Sequence, residues 1–430
     1  MVEQTQLANG LTIVTDCIDT VETVAVGVWV AAGTRHERAE FNGVAHMLEH
    51  MAFKGTHNRT AQDIAQTIEN VGGYLNAGTS RESTAYYARM LKNDLHVGIE
   101  LLADILQNSV FAEDEFERER SVVLQEIGQS HDAPDDIIFD YFQETAFPKQ
   151  AMGRSILGTN SIVHNMNRET LVQYRDHFYS APRMILAAAG NVSHDELLKR
   201  AEMYFDHLPT NGKVEVEPAS YVGGDFRMQR DLEQVHVLMG FKGRSIKHDD
   251  NYAVALLATI LGGGMSSRLF QEVREKRGLV YSIYAFKSAY SDSGMFGIYA
   301  GTAPNQVPQL LPIVCYELVK ATENLTDEEI TRSRTQLKAS LMMGLESTTA
   351  RCEHLAQQIL NFGKHIPTQD IIAKIDAVSK DDLYRVAQDV FSSKLTFVAT
   401  GPIGEVEVFE RIEERLPSVL SSDKLSVVNL

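Results

Sequence analysis

The sequence predicts an α+β protein built from two homologous α/β sandwich domains, because apolar segments recur along it at a constant spacing. Val24 to Trp29 has a counterpart in Val235 to Gly240, and Ile185 to Gly190 has one in Thr396 to Gly401. Both pairs are 211 residues apart, counted from Val24 to Val235 and from Gly190 to Gly401. Neither half alternates strictly between strands and helices, which favours sandwiches over a doubly wound parallel sheet. Chance similarity between apolar strands is the alternative explanation.

The length of 430 residues exceeds one ordinary hydrophobic core and fits two domains of about 200 residues each. Residues 209–226 are rich in proline and glycine and have little apolar periodicity, as expected of a linker. We therefore predict an N-terminal domain over residues 1–215 and a homologous C-terminal domain over residues 226–430.

Composition and charge argue against two classes of partner. The formal net charge of −18 would repel the phosphate backbone of a nucleic acid. No apolar run approaches the roughly 20 residues that span a bilayer, so we expect no membrane partner. An acidic interior could attract basic peptides, or acidic surfaces could simply keep the protein in solution.

The first residues and the cysteines indicate the cellular compartment in which we expect the protein. Met1 to Gln6 has neither the basic start nor the apolar stretch of a secretory signal. Cys17, Cys315 and Cys352 share no CxxC spacing and are typical of incidental thiols in a reducing compartment. We expect the bacterial cytoplasm, with the mitochondrial matrix as the alternative if a transit peptide has been removed.

The elements of the first half follow from turn signals and apolar periodicity. Two short strands flank Asn9-Gly10, a dipeptide suited to a tight hairpin turn, and Val24 to Val30 is typical of a buried strand. A helix is predicted over about residues 42–53, and Thr60 can cap the next one, with Asp63 three residues on. Further along we predict one or two strands within Tyr74 to Met90 and helices over about residues 93–108 and 113–130.

The first predicted helix carries the sequence His46-Met47-Leu48-Glu49-His50, the inverted form of a zinc-protease motif. Residues at positions i and i+4 share one helix face, so both imidazoles can reach one ion. Glu49 projects towards the same region, where a carboxylate could accept a proton from water. The alternative is a pair of structural histidines on a half-buried helix face.

A catalytic zinc normally takes a third protein ligand and leaves one position open. The predicted helix over 113–130 offers Glu119 and Glu126, which are seven residues apart and share a face. Val122, Val123 and Ile127 would pack this helix against the first. Glu126 is the better ligand candidate and Glu119 could orient an imidazole, while a solvated acidic stripe is the alternative.

Three blocks of residues resemble the pitrilysin-type inverzincin metallopeptidases, and most closely the β subunit of the mitochondrial processing peptidase and its bacterial homologues. The blocks are Gly43 to Thr56, Leu75 to Glu82, and Glu117 to Arg120 followed by Glu126. The resemblance implies one Zn²⁺ per chain, Glu49 as catalytic base and Glu119 as support for a ligand. It implies three metal ligands, His46, His50 and Glu126.

The same resemblance implies a substrate site in the first half. The strand near Asn76 and Ala77 would be a sheet edge to which an extended peptide adds as a further strand. Phe53 would line a pocket for an apolar side chain after the cut. Asp136 and Asp140 would hold an arginine two residues before that side chain, although a solvated loop around Pro134 is the alternative.

The second half contributes a glycine-rich loop and an arginine–tyrosine pair. The resemblance implies that Gly262, Gly263 and Gly264 approach the substrate, and that Arg274 and Tyr281 assist catalysis. It further implies that the chain forms half of a clamshell, in which a second copy completes each zinc site. We therefore expect a homodimer, with a heterodimer containing an inactive homologue as the alternative.

These expectations combine into one predicted function. The chain would be a zinc metalloendopeptidase that cleaves extended peptides or unfolded polypeptides, with arginine near the cut site as a further possibility. The alternative on the same fold is a non-catalytic assembly or core subunit, against which the complete motif counts.

Overall fold

The computed structural model describes residues 2–417 and divides them between two compact units. The first unit comprises the residues up to Gln129 together with residues 150–217 and 342–366. The second comprises residues 130–149, 218–341 and those from Pro367 onward. The predicted end of the C-terminal domain at residue 430 lies outside the described residues.

Two sheets form the centres of the units, β1–β6 in the first and β7–β11 in the second. The strands are β1 (Val2–Gln6), β2 (Thr12–Cys17), β3 (Thr23–Val30), β4 (Tyr74–Thr79), β5 (Thr84–Leu91), β6 (Met184–Gly190), β7 (Gly224–Gln229), β8 (Val235–Lys242), β9 (Val280–Ala289), β10 (Gly294–Thr302) and β11 (Thr396–Gly401).

Helices cover the sheets and carry most of the residues that the sequence singled out. The α-helices are α1 (Val44–Ala52), α2 (Ala61–Glu69), α3 (Leu95–Gln107), α4 (Glu113–Asp132), α5 (Pro134–Ala146), α6 (Asn160–Asn165), α7 (Arg168–Phe178), α8 (His194–Phe205), α9 (Asn251–Gly262), α10 (Val307–Ala321), α11 (Asp327–Gly344), α12 (Thr348–Phe362), α13 (Thr368–Ala377), α14 (Lys380–Phe391) and α15 (Phe409–Glu413). Within residues 2–417, no helix combines the length and apolar character needed to cross a membrane.

The two sheets share one topology, which confirms the predicted duplication. The first has the strand order β1-β2-β6-β3-β5-β4 and the second β7-β11-β8-β10-β9, so among residues 2–417 the second sheet matches the first except for β1. The pairs β2·β6 and β7·β11 are parallel, and the neighbours of β3 and β8 are antiparallel. The fold is thus a mixed α/β arrangement of two homologous units, as predicted.

Two glycines show why the repeat is visible in the sequence. Gly190 ends β6 with φ +120°, and an added Cβ would lie 2.3 Å from the carbonyl oxygen of Thr23. Gly401 ends β11 with φ +117°, and its Cβ would lie 2.3 Å from the carbonyl oxygen of Gln234. Each position therefore requires glycine for the same two reasons, a positive φ and a close backbone neighbour.

The units differ from the predicted contiguous domains in two segments. Helix α5, which precedes residue 215, packs on β11, β8 and β7 of the second unit. Helix α12, which follows residue 226, packs on β6, β3 and β2 of the first unit. Each half of the chain therefore covers part of the other half's sheet.

Candidate metal centre

Helix α1 is held in the first unit by one apolar face. Met47, Leu48 and Met51 are buried in the same core as Phe116, Val123 and Ile127 of α4. Val122, which we expected at this contact, is 39% exposed, so the register of α4 instead places Phe116 in the core. The packing leaves His46 and His50 on the less buried side of α1, facing α4.

Three candidate ligand atoms converge between α1 and α4. His46 Nε2 lies 3.6 Å and His50 Nε2 lies 3.5 Å from Glu126 Oε2. The two imidazole ring centres are 4.6 Å apart. Within residues 2–417, this is the one group of three histidine, cysteine or carboxylate side chains close enough to share a metal ion.

The spacing and the donor types fit zinc. A tetrahedral zinc ion with ligand distances of about 2.0–2.2 Å separates its ligand atoms by about 3.3–3.6 Å. Glu126 Oε2 is buried and has no hydrogen-bond partner among the described residues, although burying such an atom unsatisfied is costly. Two imidazole nitrogens and one carboxylate oxygen form a known catalytic zinc set with a fourth position open.

Glu119 supports one of the imidazoles. Its Oε2 lies 3.0 Å from His50 Nδ1, and its Oε1 lies 2.6 Å from Lys54 Nζ. Burial opposes ionisation of Glu119, but the hydrogen bonds from Lys54 and His50 outweigh it and lower the pKa of its carboxyl. An ionised Glu119 would accept a hydrogen bond from Nδ1–H and leave Nε2 of His50 free for a metal.

His46 is held neutral by its surroundings. Burial, reinforced by the nearby His50 imidazole, lowers the pKa of His46 to about 4. A neutral imidazole is the form that binds a metal. Nδ1 of His46 is buried and has no hydrogen-bond partner among residues 2–417, in contrast to Nδ1 of His50.

Glu49 is near His50 and Glu126 and is hydrogen-bonded to strand β4. The Thr79 hydroxyl donates to Glu49 Oε2 at 2.5 Å. Burial raises the pKa of Glu49, the nearby Glu126 carboxylate raises it further, and the Thr79 hydrogen bond and His50 oppose the shift. The carboxyl is therefore both fixed in place and more basic than an ordinary glutamate.

The predicted substrate strand is β4, the last strand of the first sheet, where β5 is its one neighbour among the described strands. Asn76 is exposed and Ala77 half-buried, in a strand whose exposure alternates residue by residue. Phe53 ends α1, and its ring centre lies 6.4 Å from that of Tyr86. The free edge of β4 and the candidate ligands thus belong to the same unit, since α1 packs on β4.

The predicted arginine pocket falls in the second unit. Asp136 and Asp140 lie one helical turn apart on α5, so the stretch after Pro134 is a helix and not a loop, while a solvated acidic face stays the alternative to an arginine pocket. Pro134 instead begins this helix, where its missing N–H costs nothing. Asp136 is exposed and accepts a hydrogen bond from the Ser130 hydroxyl at 3.0 Å.

The glycine-rich loop and the Arg274/Tyr281 pair also lie in the second unit. A Cβ on Gly262 would meet the Ala285 nitrogen of β9 at 2.1 Å, and one on Gly263 would meet Thr259 Cα at 2.6 Å. The packing of α9 on β9 therefore requires Gly262, and the close approach of Thr259 in α9 requires Gly263, whereas a Cβ on Gly264 would have its nearest neighbour at 3.6 Å. Arg274 lies in a π-helical turn over Phe270–Glu275.

The structure brings Arg274 and Tyr281 together. The guanidinium carbon of Arg274 is 5.4 Å from the centre of the Tyr281 ring, within the range of a cation–π contact. Tyr281 lies on β9, and 78% of its surface is exposed. Its hydroxyl is thus available to a ligand.

Three residues that contact Glu49, Glu119 or the start of α1 were not indicated by the sequence. Thr79 and Lys54 lie inside the matching blocks, but nothing in their spacing assigned them a role. Glu37 accepts hydrogen bonds from the backbone at the start of α1 and gave no signal at all. Each contact joins residues that are distant in sequence or that meet only through a loop.

Comparison with known proteins shows similarity to zinc proteases. Residues 12–160 match the family model described as insulinase (peptidase family M16), and residues 165–337 match that of the peptidase M16 inactive domain. An uncharacterized zinc protease of Rickettsia felis is 41% identical over 398 residues, which cover 92% of this chain and 97% of the relative.

Two further proteins extend the likeness to a eukaryote and to a solved structure. A probable mitochondrial-processing peptidase subunit beta of Arabidopsis thaliana is 38% identical over 427 residues, covering 96% of this chain and 80% of that protein. The crystal structure of a protease from Helicobacter pylori has a TM-score of 0.87 at 25% identity, covering 93% of this chain and 99% of that one.

The fold and the comparisons define the class of protein, a two-unit mixed α/β protein of the zinc-protease type. Within that class, the chain belongs to peptidase family M16, the insulinase family. The resemblance that the sequence motifs indicated is thereby confirmed.

Proposed function

We propose that this chain is a zinc-dependent endopeptidase that cleaves extended peptides. One observation carries the proposal: one donor atom each of His46, His50 and Glu126 lies within 4.8 Å of the other two, and both imidazole nitrogens lie 3.5–3.6 Å from Glu126 Oε2, close to the spacing in tetrahedral zinc. His46 Nε2, His50 Nε2 and Glu126 Oε2 would hold one Zn²⁺ per chain, and Glu119 would orient His50.

The chemistry needs a base and an oxyanion partner. Bound zinc would acidify water and polarise the scissile carbonyl. Glu49 would accept a proton from the attacking water and deliver it to the leaving nitrogen. Thr79 would hold the Glu49 carboxyl during both transfers. Tyr281, with Arg274 beside it, would donate a hydrogen bond to the developing oxyanion.

The free edge of β4 supports the substrate class. A peptide that pairs with Asn76 and Ala77 would be bound through main-chain hydrogen bonds, so it must be extended and its sequence can vary. Phe53 would contact an apolar side chain after the cut, and Asp136 and Asp140 would accept an arginine guanidinium before it. Folded proteins would be poor substrates, because their segments are not free to pair.

The glycine-rich loop and the Arg274/Tyr281 pair of the second unit would act from a second copy of the chain. Arg274, Tyr281 and the loop at Gly264 would complete the zinc site of a partner, in a homodimer that closes like a clamshell. A heterodimer with an inactive homologue is the alternative. Two of the similar proteins are bacterial, which supports a bacterial source, and the cytoplasm stays a prediction.

Metal content and cleavage of an arginine-containing peptide test the proposal together. We expect about one zinc per purified chain, as in other single-site metallopeptidases. Glu49→Gln should keep this zinc and lose turnover by at least about 100-fold, because it removes the base and leaves the ligands. His46→Ala should lose the zinc itself.

Glu117→Gln is the matched control, because Glu117 lies on α4 with Glu126 and Glu119 but is paired with Arg120 on the surface. It should keep both zinc and activity. Unchanged turnover in Glu49→Gln would remove the base assignment. A wild-type chain with neither zinc nor activity would favour the non-catalytic assembly role.

A further inference from the structure

We infer that Glu37 is a positioning residue for the metal: its carboxylate caps helix α1 from outside the helix and thereby fixes His46. The inference rests on the proposed zinc site and adds a residue that the motif does not contain. It follows from how α1 begins.

The first turn of α1 lacks a cap of its own. The N-cap residue is Gly43, which has no side chain, and its φ of +95° places it in the left-handed region. A Cβ at this position would lie 2.7 Å from the carbonyl oxygen of Leu157, so a serine or aspartate cannot replace the glycine. The free N–H groups of this turn must therefore be satisfied from elsewhere.

Glu37 supplies the missing acceptors. Its Oε1 accepts a hydrogen bond from Ala45 N at 2.8 Å, and its Oε2 accepts one from Gly43 N at 2.9 Å. Ala45 is the second residue of α1, the position whose N–H an N-cap side chain usually satisfies. The carboxylate also lies at the positive end of the helix dipole, where a negative charge is stabilising.

Glu37 is itself held on both sides. Asn42 Nδ2 donates to its Oε2 at 2.8 Å and also to the carbonyl oxygen of Ser155 at 2.9 Å. Arg154 donates to the backbone carbonyl of Glu37. Only 5% of Glu37 is exposed, and burial raises the pKa of its carboxyl to about 7 against the hydrogen bonds that lower it. A group kept buried at this cost occupies a defined position.

The hydrogen bond from Ala45 N to Glu37 affects the proposed metal site because it lies one residue before His46. His46 directly follows Ala45, so the hydrogen bond that fixes Ala45 N fixes the start of the turn that carries the first imidazole. His50 is braced by Glu119, whereas Nδ1 of His46 has no hydrogen-bond partner among the described residues. The position of His46 therefore depends on the backbone of α1, and Glu37 holds that backbone.

The test measures zinc affinity rather than turnover. In the full chain, Glu37→Gln replaces one acceptor oxygen by an amide that points at a backbone N–H. We expect the Kd for zinc, measured by competition with a chromophoric chelator, to rise about tenfold, as for other lost supports of a metal ligand. The visible absorption of the Co²⁺-substituted protein should also change, because the His46 ligand is displaced. A Kd within about twofold of wild type would overturn the inference.

Asp104→Asn is the matched control for general destabilisation. Asp104 is a buried carboxylate on α3 that accepts hydrogen bonds from Thr56, Asn58 and Arg59, and it contacts no candidate ligand. This variant should lower the Tm and leave the zinc Kd unchanged. An equal rise of the Kd in both variants would show a general loosening of the unit, and the inference would be wrong.

A second variant decides the matter if Glu37→Gln does not fold, as judged by near-ultraviolet circular dichroism. Asn42→Ala keeps the carboxylate and removes one of its donors, so the zinc Kd should rise about two- to tenfold. An unchanged Kd in this variant would reject the positioning role. The proposed function fails separately, if the wild-type chain binds no zinc or if Glu49→Gln cleaves normally.

Discussion

At the scale of single residues, three groups of the candidate centre are held by three different neighbours. Glu119 holds His50, Thr79 holds Glu49, and Glu37 holds the start of the helix that carries His46. These supports come from three separate segments of the first unit. The centre is thus positioned by tertiary contacts, while the motif supplies only the groups themselves.

The hydrogen bond from Thr79 gives the first prediction at this scale. Thr79→Val keeps the side-chain shape but removes the hydroxyl that donates to Glu49 Oε2 at 2.5 Å. We expect kcat to fall about threefold to tenfold, because Glu49 loses the contact that orients it, while the zinc content stays at the wild-type value. Peptide cleavage kinetics and metal analysis of the same preparation measure both quantities.

Thr79→Ser is the control, because it restores the hydroxyl and should recover most of kcat. Equal loss in the serine and valine variants would mean that the methyl group matters, and would reject the hydrogen bond as the cause. A loss of zinc in Thr79→Val would show that the residue supports the fold of the site rather than the base.

The sequence predicted only those features of the candidate centre that depend on local helix geometry. A spacing of four residues places His46 and His50 on one helix face, and a spacing of seven places Glu119 and Glu126 on another. The contact of Thr79 with Glu49 depends instead on how β4 lies against α1. Val122 shows the same limit, since the apolar pattern of α4 did not tell which of its valines faces the core.

At the scale of elements, the free edge of β4 is the basis of the proposal that the first unit binds an extended peptide. This strand pairs with β5 on one side and with no described strand on the other. Its helix-covered side carries Thr79, which contacts Glu49. A strand added to the edge would therefore run past the proposed base, with its main chain towards β4.

Binding by strand addition predicts which chemical changes in a substrate matter. Successive N–H groups of a strand point to opposite edges, so only alternate residues of the peptide can donate to β4. We expect N-methylation at alternate positions to lower kcat/KM by about tenfold or less each, the value of one lost hydrogen bond, and methylation in between to have little effect. Cleavage assays on a set of singly methylated peptides measure this pattern.

Alanine replacement at the same positions is the control. It removes side chains and leaves the main chain, so most positions away from the cut should tolerate it. Sensitivity to every methyl group alike, or to alanine alone, would contradict strand addition and favour recognition through side-chain pockets.

Helices α5 and α12, each of which packs on the sheet of the other half of the chain, show what the sequence could not predict at this scale. The apolar faces of α5 and α12 predict that each is buried, but an apolar face does not name the sheet that covers it. Hydrophobic burial is non-directional, and the choice depends on chain connectivity and on shape. Helices α5 and α12 therefore each belong to the other unit, and not to the contiguous domain in which composition and linker signals placed them.

At the scale of the whole molecule, duplication has produced two units with one topology and different chemistry. Helix α9 follows the central strand β8 as α1 follows β3, and its 12 residues contain no histidine, aspartate or glutamate. Most of α9 is buried. The second unit thus has no counterpart of the metal centre on this helix, which agrees with its match to the M16 inactive domain.

Because the candidate zinc ligands and Tyr281 lie in different units, the proposed dimer predicts complementation between two inactive variants. If Tyr281 of one copy serves the zinc site of another, Glu49→Gln and Tyr281→Phe remove different halves of the same site. Each variant alone should have little activity. After mixing in equal amounts and re-equilibration, half of the dimers contain both variants and one of their two sites is intact, so about a quarter of wild-type activity should return.

The control uses Tyr316→Phe in place of Tyr281→Phe. Tyr316 is another exposed tyrosine of the second unit, and the Tyr316→Phe variant should be fully active alone. Analytical ultracentrifugation of the wild-type chain should show a dimer at the assay concentration. A mixture no more active than the sum of its parts, in a proven dimer that exchanges subunits, would place Tyr281 in its own chain's site or outside catalysis. Restoration would require that the chain is active only as a pair, because neither variant could recover activity without the residue that the other retains.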